Sequence, residues 1–210
     1  MEMIRAILYD LDGVLVDATE WHYESLNEAL REISGFEISR LEHIRIFNGL
    51  PTKKKLEILH EQNRVRKEDF DAIWDLKQNK TNEIIEKTAT ADETKKRLHE
   101  GTKIFKKVCV TNSIRQTALL MLEKTSQLSF MDHVISNEDV SNPKPDPEGY
   151  VKAMSYLKLE PNECMIVEDS DKGIEAAKKS KAHVYEVKGY HEVTLENILN
   201  KINYFNMDSK

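Results

Sequence analysis

The chain has 210 residues, 40% of them hydrophobic and 32% charged, with a formal net charge of -6. This is the composition of an ordinary globular protein, which excludes a disordered or collagen-like chain, and the negative balance disfavours nonspecific nucleic-acid binding, an interaction driven by phosphate neutralisation. No apolar run approaches the roughly 20 residues of a membrane-spanning helix, so no membrane partner is expected.

The length predicts one core domain carrying a sizeable insertion. At the N-terminus, MEMIRAILYDLDG holds only a brief apolar run that leads straight into acid. A secretory signal needs more, so a cytoplasmic location is expected. Ile4 to Tyr9 is predicted as a buried strand, and it ends in YDLDGVLVD, which puts three aspartates into nine positions. Residues 18–90 then read as helix after helix: His22, Leu26, Ala29, Leu30 and Ile33 share one face, and Leu56–Leu59 and Phe70–Leu76 look similar. This stretch is predicted as an inserted helical domain, with residues 1–17 and 91–210 forming the core.

Four further strands are predicted, at Lys107–Thr111, His133–Ser136, Cys164–Glu168 and His183–Val187. Helical stripes separate them: Ile114, Ala118, Met121 and Leu122; Val151, Met154 and Leu157, headed by Asp146 as N-cap and Pro147 at the first turn; and Ile174 with Ala177, carrying a Glu175–Lys179 pair outside. The alternation predicts an α/β fold, a Rossmann-like parallel sheet covered by helices on both faces. Cys109 and Cys164 fall inside strands and are expected as buried free thiols. After Leu195 a terminal helix ending in disorder is expected.

Open parallel sheets gather ligands at the carboxyl ends of their strands, and the unusual residues of this sequence fall there. The first strand ends in Asp10 and Asp12, the second in Thr111, Asn112 and Ser113, and the fourth in Glu168, Asp169, Ser170 and Asp171. NPKPDP holds Lys144 among prolines, which restrict its backbone. Crowded carboxylates repel one another unless a cation joins them, and Mg²⁺, a hard ion that takes carboxylate and carbonyl oxygens, suits the set. Thr111–Ser113, at a helix start, suits a phosphate group. Together these parts point to phosphoryl transfer. A calcium loop of the EF-hand kind is excluded, because Val14, Leu15 and Trp21 stand where that template needs an oxygen ligand, glycine and glutamate.

Four motifs, DLDGVLVD, VCVTNS, the lysine of NPKPDPEGY, and IVEDSDKGIEAA, occur in an order that resembles the haloacid dehalogenase-like superfamily. Within it the chain is similar to the branch with a helical cap inserted after the first strand, which holds phosphoglycolate-phosphatase-like enzymes and β-phosphoglucomutases. The resemblance implies that Asp10 is a nucleophile forming an aspartyl-phosphate and that Asp12 is the general acid and base. It implies that Thr111, Asn112 and Lys144 bind the phosphoryl group, and that Asp10, the carbonyl of Asp12, Glu168 and Asp169 hold Mg²⁺. In the cap, His22 and Lys77, the latter opening KQNKT, are implied as substrate contacts. The expected activity is a Mg²⁺-dependent phosphatase for a small phosphorylated metabolite, sugar phosphates included, acting as a monomer or weak homo-oligomer. A phosphosugar mutase and a catalytically silent phospholigand-binding protein are the alternatives; Thr52, where the β-phosphoglucomutase pattern carries arginine, weighs against the mutase.

Overall fold

In the computed structural model, which describes residues 3–208, the chain divides into two compact units. One comprises the segments up to Asp17 and from Thr90 onward, the other Ala18–Ala89. In chain order the elements are β1 (Ala6–Tyr9), α1 (Thr19–Ser34), α2 (Arg40–Glu42), a π-helical turn (His43–Phe47), α3 (Thr52–Glu61), α4 (Phe70–Thr88), α5 (Glu93–Gly101), β2 (Lys106–Val110), α6 (Arg115–Lys124), β3 (His133–Ile135), α7 (Glu148–Leu157), β4 (Cys164–Glu168), α8 (Asp171–Lys179), β5 (His183–Glu186) and α9 (Leu195–Asp208). No helix among the described residues is long and apolar enough to cross a membrane. The disorder expected at the very end of the chain lies outside the described residues.

The strands form one parallel sheet in the order β3-β2-β1-β4-β5. As the central strand, β1 reads AILY and is buried throughout, as a strand covered on both faces must be. One face packs Ala6, Leu8, Val108, Val110 and Ile166 against Tyr150, Ala153 and Met154 of α7 and Ala176 and Ala177 of α8. On the other face Tyr9 meets the ring of His99 on α5 edge-on. The register sets Tyr9 opposite Cys109 on one side and Val167 on the other, so the carboxyl ends of β1, β2 and β4 finish level. The chain adds β2 and β3 on one side of β1 and then β4 and β5 on the other, and this reversal opens a crevice at those ends.

Helix α7 differs from its predicted stripe. Its buried residues are Gly149, Tyr150, Ala153 and Met154, while Val151 is 44% exposed. A Cβ on Gly149 would lie 2.9 Å from Val110, so the helix approaches the sheet closely and turns its small residues inward. The helix begins at Glu148, one residue after the expected Pro147, and the Asp146 side chain caps that end by accepting the Glu148 N–H at 2.9 Å. After α8, Lys181 takes the left-handed region at φ 67, where glycine would be unstrained. Both cysteines are free and buried.

A buried polar chain secures the loop after β1. The Gln127 amide donates to the Leu15 carbonyl at 2.9 Å, and its oxygen lies 3.0 Å from His99 Nε2, which makes that nitrogen the donor of a neutral ring. Burial lowers His99 to about 4, below the roughly 6.5 of an unfolded chain. Stability from this group is therefore complete above about pH 6.5 and falls as pH drops towards 4, with a loss of about 2 kcal/mol by pH 5. Denaturant midpoints at pH 7 and pH 5 check this, and His99→Gln is expected to flatten the difference.

The helical unit is held by Leu26, Ala29 and Leu30 of α1, Leu56 and Leu59 of α3 and Ile73 of α4, closed by Ile38, Phe47 and Val65. The predicted α1 face is observed, with His22 and Ile33 at its half-buried margins.

Candidate active site

Asp10 follows β1, Thr111 follows β2, and Glu168 and Asp169 close β4, so three adjacent strands deliver their chemistry to one place. Lys144 enters from the loop before α7. Its Nζ donates to Asp10 Oδ1 at 2.6 Å, Glu168 Oε1 at 2.6 Å and the Val110 carbonyl at 2.8 Å, and Lys144, Asp10 and Glu168 are all buried. Asn112 brackets the lysine's backbone: its Oδ1 accepts the Lys144 N–H at 3.1 Å and its Nδ2 donates to the Lys144 carbonyl at 3.3 Å. The Asn112 side chain therefore serves as a buttress for Lys144.

Asp12, half-buried, accepts the hydroxyls of Ser113 at 3.0 Å and Thr111 at 3.4 Å through Oδ2. Glu168 is engaged on both oxygens. Oε1 takes Lys144 and the Tyr150 hydroxyl at 2.8 Å; Oε2 takes the Asp169 and Ser170 N–H groups and the Ser170 hydroxyl. Two glycines make room for these carboxylates. A Cβ on Gly173 would fall 1.7 Å from Glu168 Oε1, and one on Gly13, at φ +85, would fall 2.1 Å from Asp169 Oδ2.

The site holds more negative charge than one lysine balances. Burial, then the charge of Glu168, raises the Asp10 carboxyl well above the carboxylate range, with Lys144 pulling the other way. Burial, then Glu168 and Asp12, pushes Asp169 up to about 7. Burial also opposes the Lys144 charge, but Asp10 and Glu168 outweigh it and keep the ammonium protonated. Oxygens of Asp10, Glu168 and Asp169 lie within 4.8 Å of one another, and Asp169 Oδ1 is buried with no hydrogen-bond partner. An all-oxygen acidic set with excess negative charge and a buried acceptor left over fits a hard divalent cation. Because Glu168 is already engaged by protein donors, Asp10 and Asp169 fit the ion more directly.

The expected residues Asp10, Asp12, Thr111, Asn112, Lys144, Glu168 and Asp169 thus come together in the core unit. His22 and Lys77 meet in the helical unit, where Lys77 Nζ lies 3.2 Å from His22 Nδ1. Sequence reasoning did not single out Tyr150, although it closes the NPKPDPEGY motif. Burial, then Glu168, raises its hydroxyl well above the ordinary value, so it stays a donor, and the Lys144 ammonium sits 4.8 Å over its ring. Tyr150→Phe removes a bond to a charged group, expected to cost about 1.5–3 kcal/mol in chemical denaturation, with the ring contact to Lys144 retained.

Residues 7–187 match the family of haloacid dehalogenase-like hydrolases. The pyrophosphatase PpaX of Anoxybacillus flavithermus is 31% identical over 175 residues, covering 83% of this chain and 79% of that one. The phosphorylated carbohydrates phosphatase of Thermotoga maritima is 27% identical over 180 residues, covering 84% of this chain and 82% of that one. Among solved structures, β-phosphoglucomutase from Clostridium difficile shares the fold, with a TM-score of 0.82 at 21% identity over 97% of this chain and 99% of that one. With the family match spanning most of its length, from the central strand to the end of the sheet, the chain belongs to the haloacid dehalogenase-like hydrolases.

Proposed function

We propose that the protein is a Mg²⁺-dependent phosphatase for small phosphorylated metabolites, sugar phosphates included, and that it works in the cytoplasm. The observation that carries this reading is the buried Lys144 ammonium 2.6 Å from both Asp10 and Glu168, with Asp169 completing an acidic trio. The names of the two relatives, a phosphatase and a pyrophosphatase, support phosphoryl hydrolysis in the same direction.

In this reading an Asp10 oxygen attacks phosphorus as the bond to the leaving oxygen breaks, and Asp12 gives that oxygen its proton. Water then attacks the phosphorus carried on Asp10, Asp12 takes the water's proton, and phosphate departs with the Asp10 carboxylate restored. Asp12 is suited to both steps because it is only half-buried and is oriented by the Ser113 and Thr111 hydroxyls. Thr111 and the backbone N–H of Asn112 meet the phosphoryl oxygens at the carboxyl end of β2. A carboxylate approaching a phosphate meets repulsion of about 4 kcal/mol at ~4 Å in a medium of effective dielectric ~20; Lys144 offsets part of it. Asp10, Asp169 and the Asp12 carbonyl would hold Mg²⁺, whose charge offsets the remainder.

The test is phosphate release from a panel of phosphorylated metabolites with and without Mg²⁺, with Asp10→Asn as the blank. Release by wild type alone, and only with the metal, is expected; equal release by wild type and blank from every compound contradicts the reading. Glucose 1-phosphate included in the panel separates hydrolysis, which yields free phosphate, from a mutase, which yields glucose 6-phosphate.

A further inference from the structure

We propose that Gln127 is a positioning residue for the reaction: it fixes the loop of residues 11–16 so that the Asp12 carboxyl reaches the leaving oxygen. The proposal rests on the phosphatase reading, which assigns the proton transfer to Asp12.

Gln127 lies just beyond the end of α6 and is fully buried. Glutamine is mostly a surface residue, and a buried amide is unfavourable unless its hydrogen bonds are made. Here they are made in one fixed pattern. Its Nε2 donates to the Leu15 carbonyl at 2.9 Å and to the Thr125 Oγ1 at 3.0 Å, while its Oε1 accepts from His99 Nε2 at 3.0 Å. The Thr125 hydroxyl is spent on the Met121 carbonyl at 2.7 Å, so its oxygen is left to accept. That fixes which way the amide points. Packing alone asks for an apolar side chain of this size, so the amide answers a demand for direction.

The carbonyl it holds belongs to a loop folded around Asp12. The Leu15 and Val16 N–H groups both donate to the Leu11 carbonyl at 2.9 Å, and the Gly13 N–H donates to the Val16 carbonyl at 2.7 Å. Asp12 and Val16 face each other as an isolated bridge. The Leu15 carbonyl and the Val16 N–H share one rigid peptide plane. Turning that carbonyl therefore turns the Val16 N–H away from Leu11 and shifts Val16, together with its contacts to Gly13 and Asp12. Leu11, Val14 and Leu15 are fully buried, which sets how deep the loop lies, but apolar contact is non-directional. Gln127 supplies the direction.

From the side of β2, the Ser113 and Thr111 hydroxyls orient the Asp12 carboxylate. The loop sets where that carboxylate starts from. A general acid must come within hydrogen-bond reach of the oxygen it protonates, and a misplacement of about 1 Å can cost about a hundredfold in rate. Gln127 acts through the loop, at a sequence distance of 112 residues from Leu15.

The test compares kcat/KM for glucose 6-phosphate, whose alkoxide leaves only with a proton, and p-nitrophenyl phosphate, whose phenolate leaves without one. Gln127→Met, which keeps the volume and removes the donor, is expected to lower kcat/KM about ten- to a hundredfold for the first. For the second the fall should stay below about threefold. Ile198→Ala, which truncates a buried side chain on α9, should leave the ratio of the two substrates at its wild-type value. If Gln127→Met fails to fold, Gln127→Glu, which retains the acceptor for His99, replaces it. A ratio unchanged by the Gln127 variant overturns the proposal, whether both substrates slow together or neither does.

Amide hydrogen exchange reads the loop without turnover. In the Gln127 variant the Val16 amide is expected to exchange about tenfold or more faster relative to the Ile166 amide of β4, which reports global opening. An unchanged relative rate overturns the proposal. If wild type releases phosphate from neither compound while Val16 exchange still rises in the variant, the phosphatase reading fails and the catalytic role of Gln127 falls with it. An active wild type with an unchanged substrate ratio removes the proposal alone.

Discussion

Asp10→Asn is expected to lower phosphate release by about 10⁴-fold or more, the scale on which removal of a covalent nucleophile acts, while leaving the protein folded. The two halves of this result have different causes. Loss of turnover follows because an amide oxygen does not form and release the bond to phosphorus as a carboxylate does. Retention of the fold follows from the electrostatics of the site. Burial and the neighbouring Glu168 hold the Asp10 carboxyl well above its ordinary range, so its ionised form is a burden on the native state at pH 7. A neutral amide of the same shape relieves that burden, and Lys144 keeps Glu168 and the Val110 carbonyl as acceptors. Thermal melting without Mg²⁺ should show a midpoint equal to or above that of wild type, alongside the near-complete loss of steady-state release.

Lys144→Met is expected to do the opposite to stability and the same to activity. The ammonium lies between two buried carboxylates at 2.6 Å from each. Removing one partner of a buried ionic group typically costs about 3–5 kcal/mol, because charge is left behind without compensation. For a chain of this size that corresponds to a fall in melting midpoint on the order of 10 °C. Two further measurements distinguish this cause from simple loss of packing. Adding Glu168→Gln to Lys144→Met should recover part of the lost stability, since the pair then shares one carboxylate fewer. Millimolar Mg²⁺ should also raise the midpoint of Lys144→Met, because a cation that binds only the folded state stabilises it.

The contrast between these variants shows which parts of the molecule were legible in its sequence. β1 was readable because a central parallel strand is apolar on both faces, and AILY followed by acid leaves no other reading. The acidic and basic residues at the ends of β1, β2 and β4 were readable because parallel topology sends strand ends to one edge. Helix α7 was misread for a physical reason: Gly149 and Ala153 let it approach Val110 closely, and small residues carry little hydrophobic signal. Val151 advertised a face that solvent covers instead.

Tyr150 shows the same limit from the side of function. An aromatic residue at a helix start reads as core, and only the folded structure brings its hydroxyl to Glu168 at 2.8 Å. Asn112 was assigned to the phosphoryl group by its motif, yet its side chain is spent on the Lys144 backbone. Lys53 and Lys54 are exposed while Lys55 is buried, and among three consecutive lysines nothing local marks Lys55 as the inward one. Its spacing from Leu56 and Leu59 does so once the helix exists.

The central claim is that Asp10 itself takes up phosphorus within a magnesium-holding cluster. The most direct measurement is acid quenching of the reaction during turnover, followed by mass spectrometry of the peptide bearing Asp10. A peptide heavier by one phosphoryl group, present with Mg²⁺ and absent in Asp10→Asn, is the predicted result. Release of phosphate by wild type with that peptide unmodified at every quench time, or with the added mass on another residue, would contradict it.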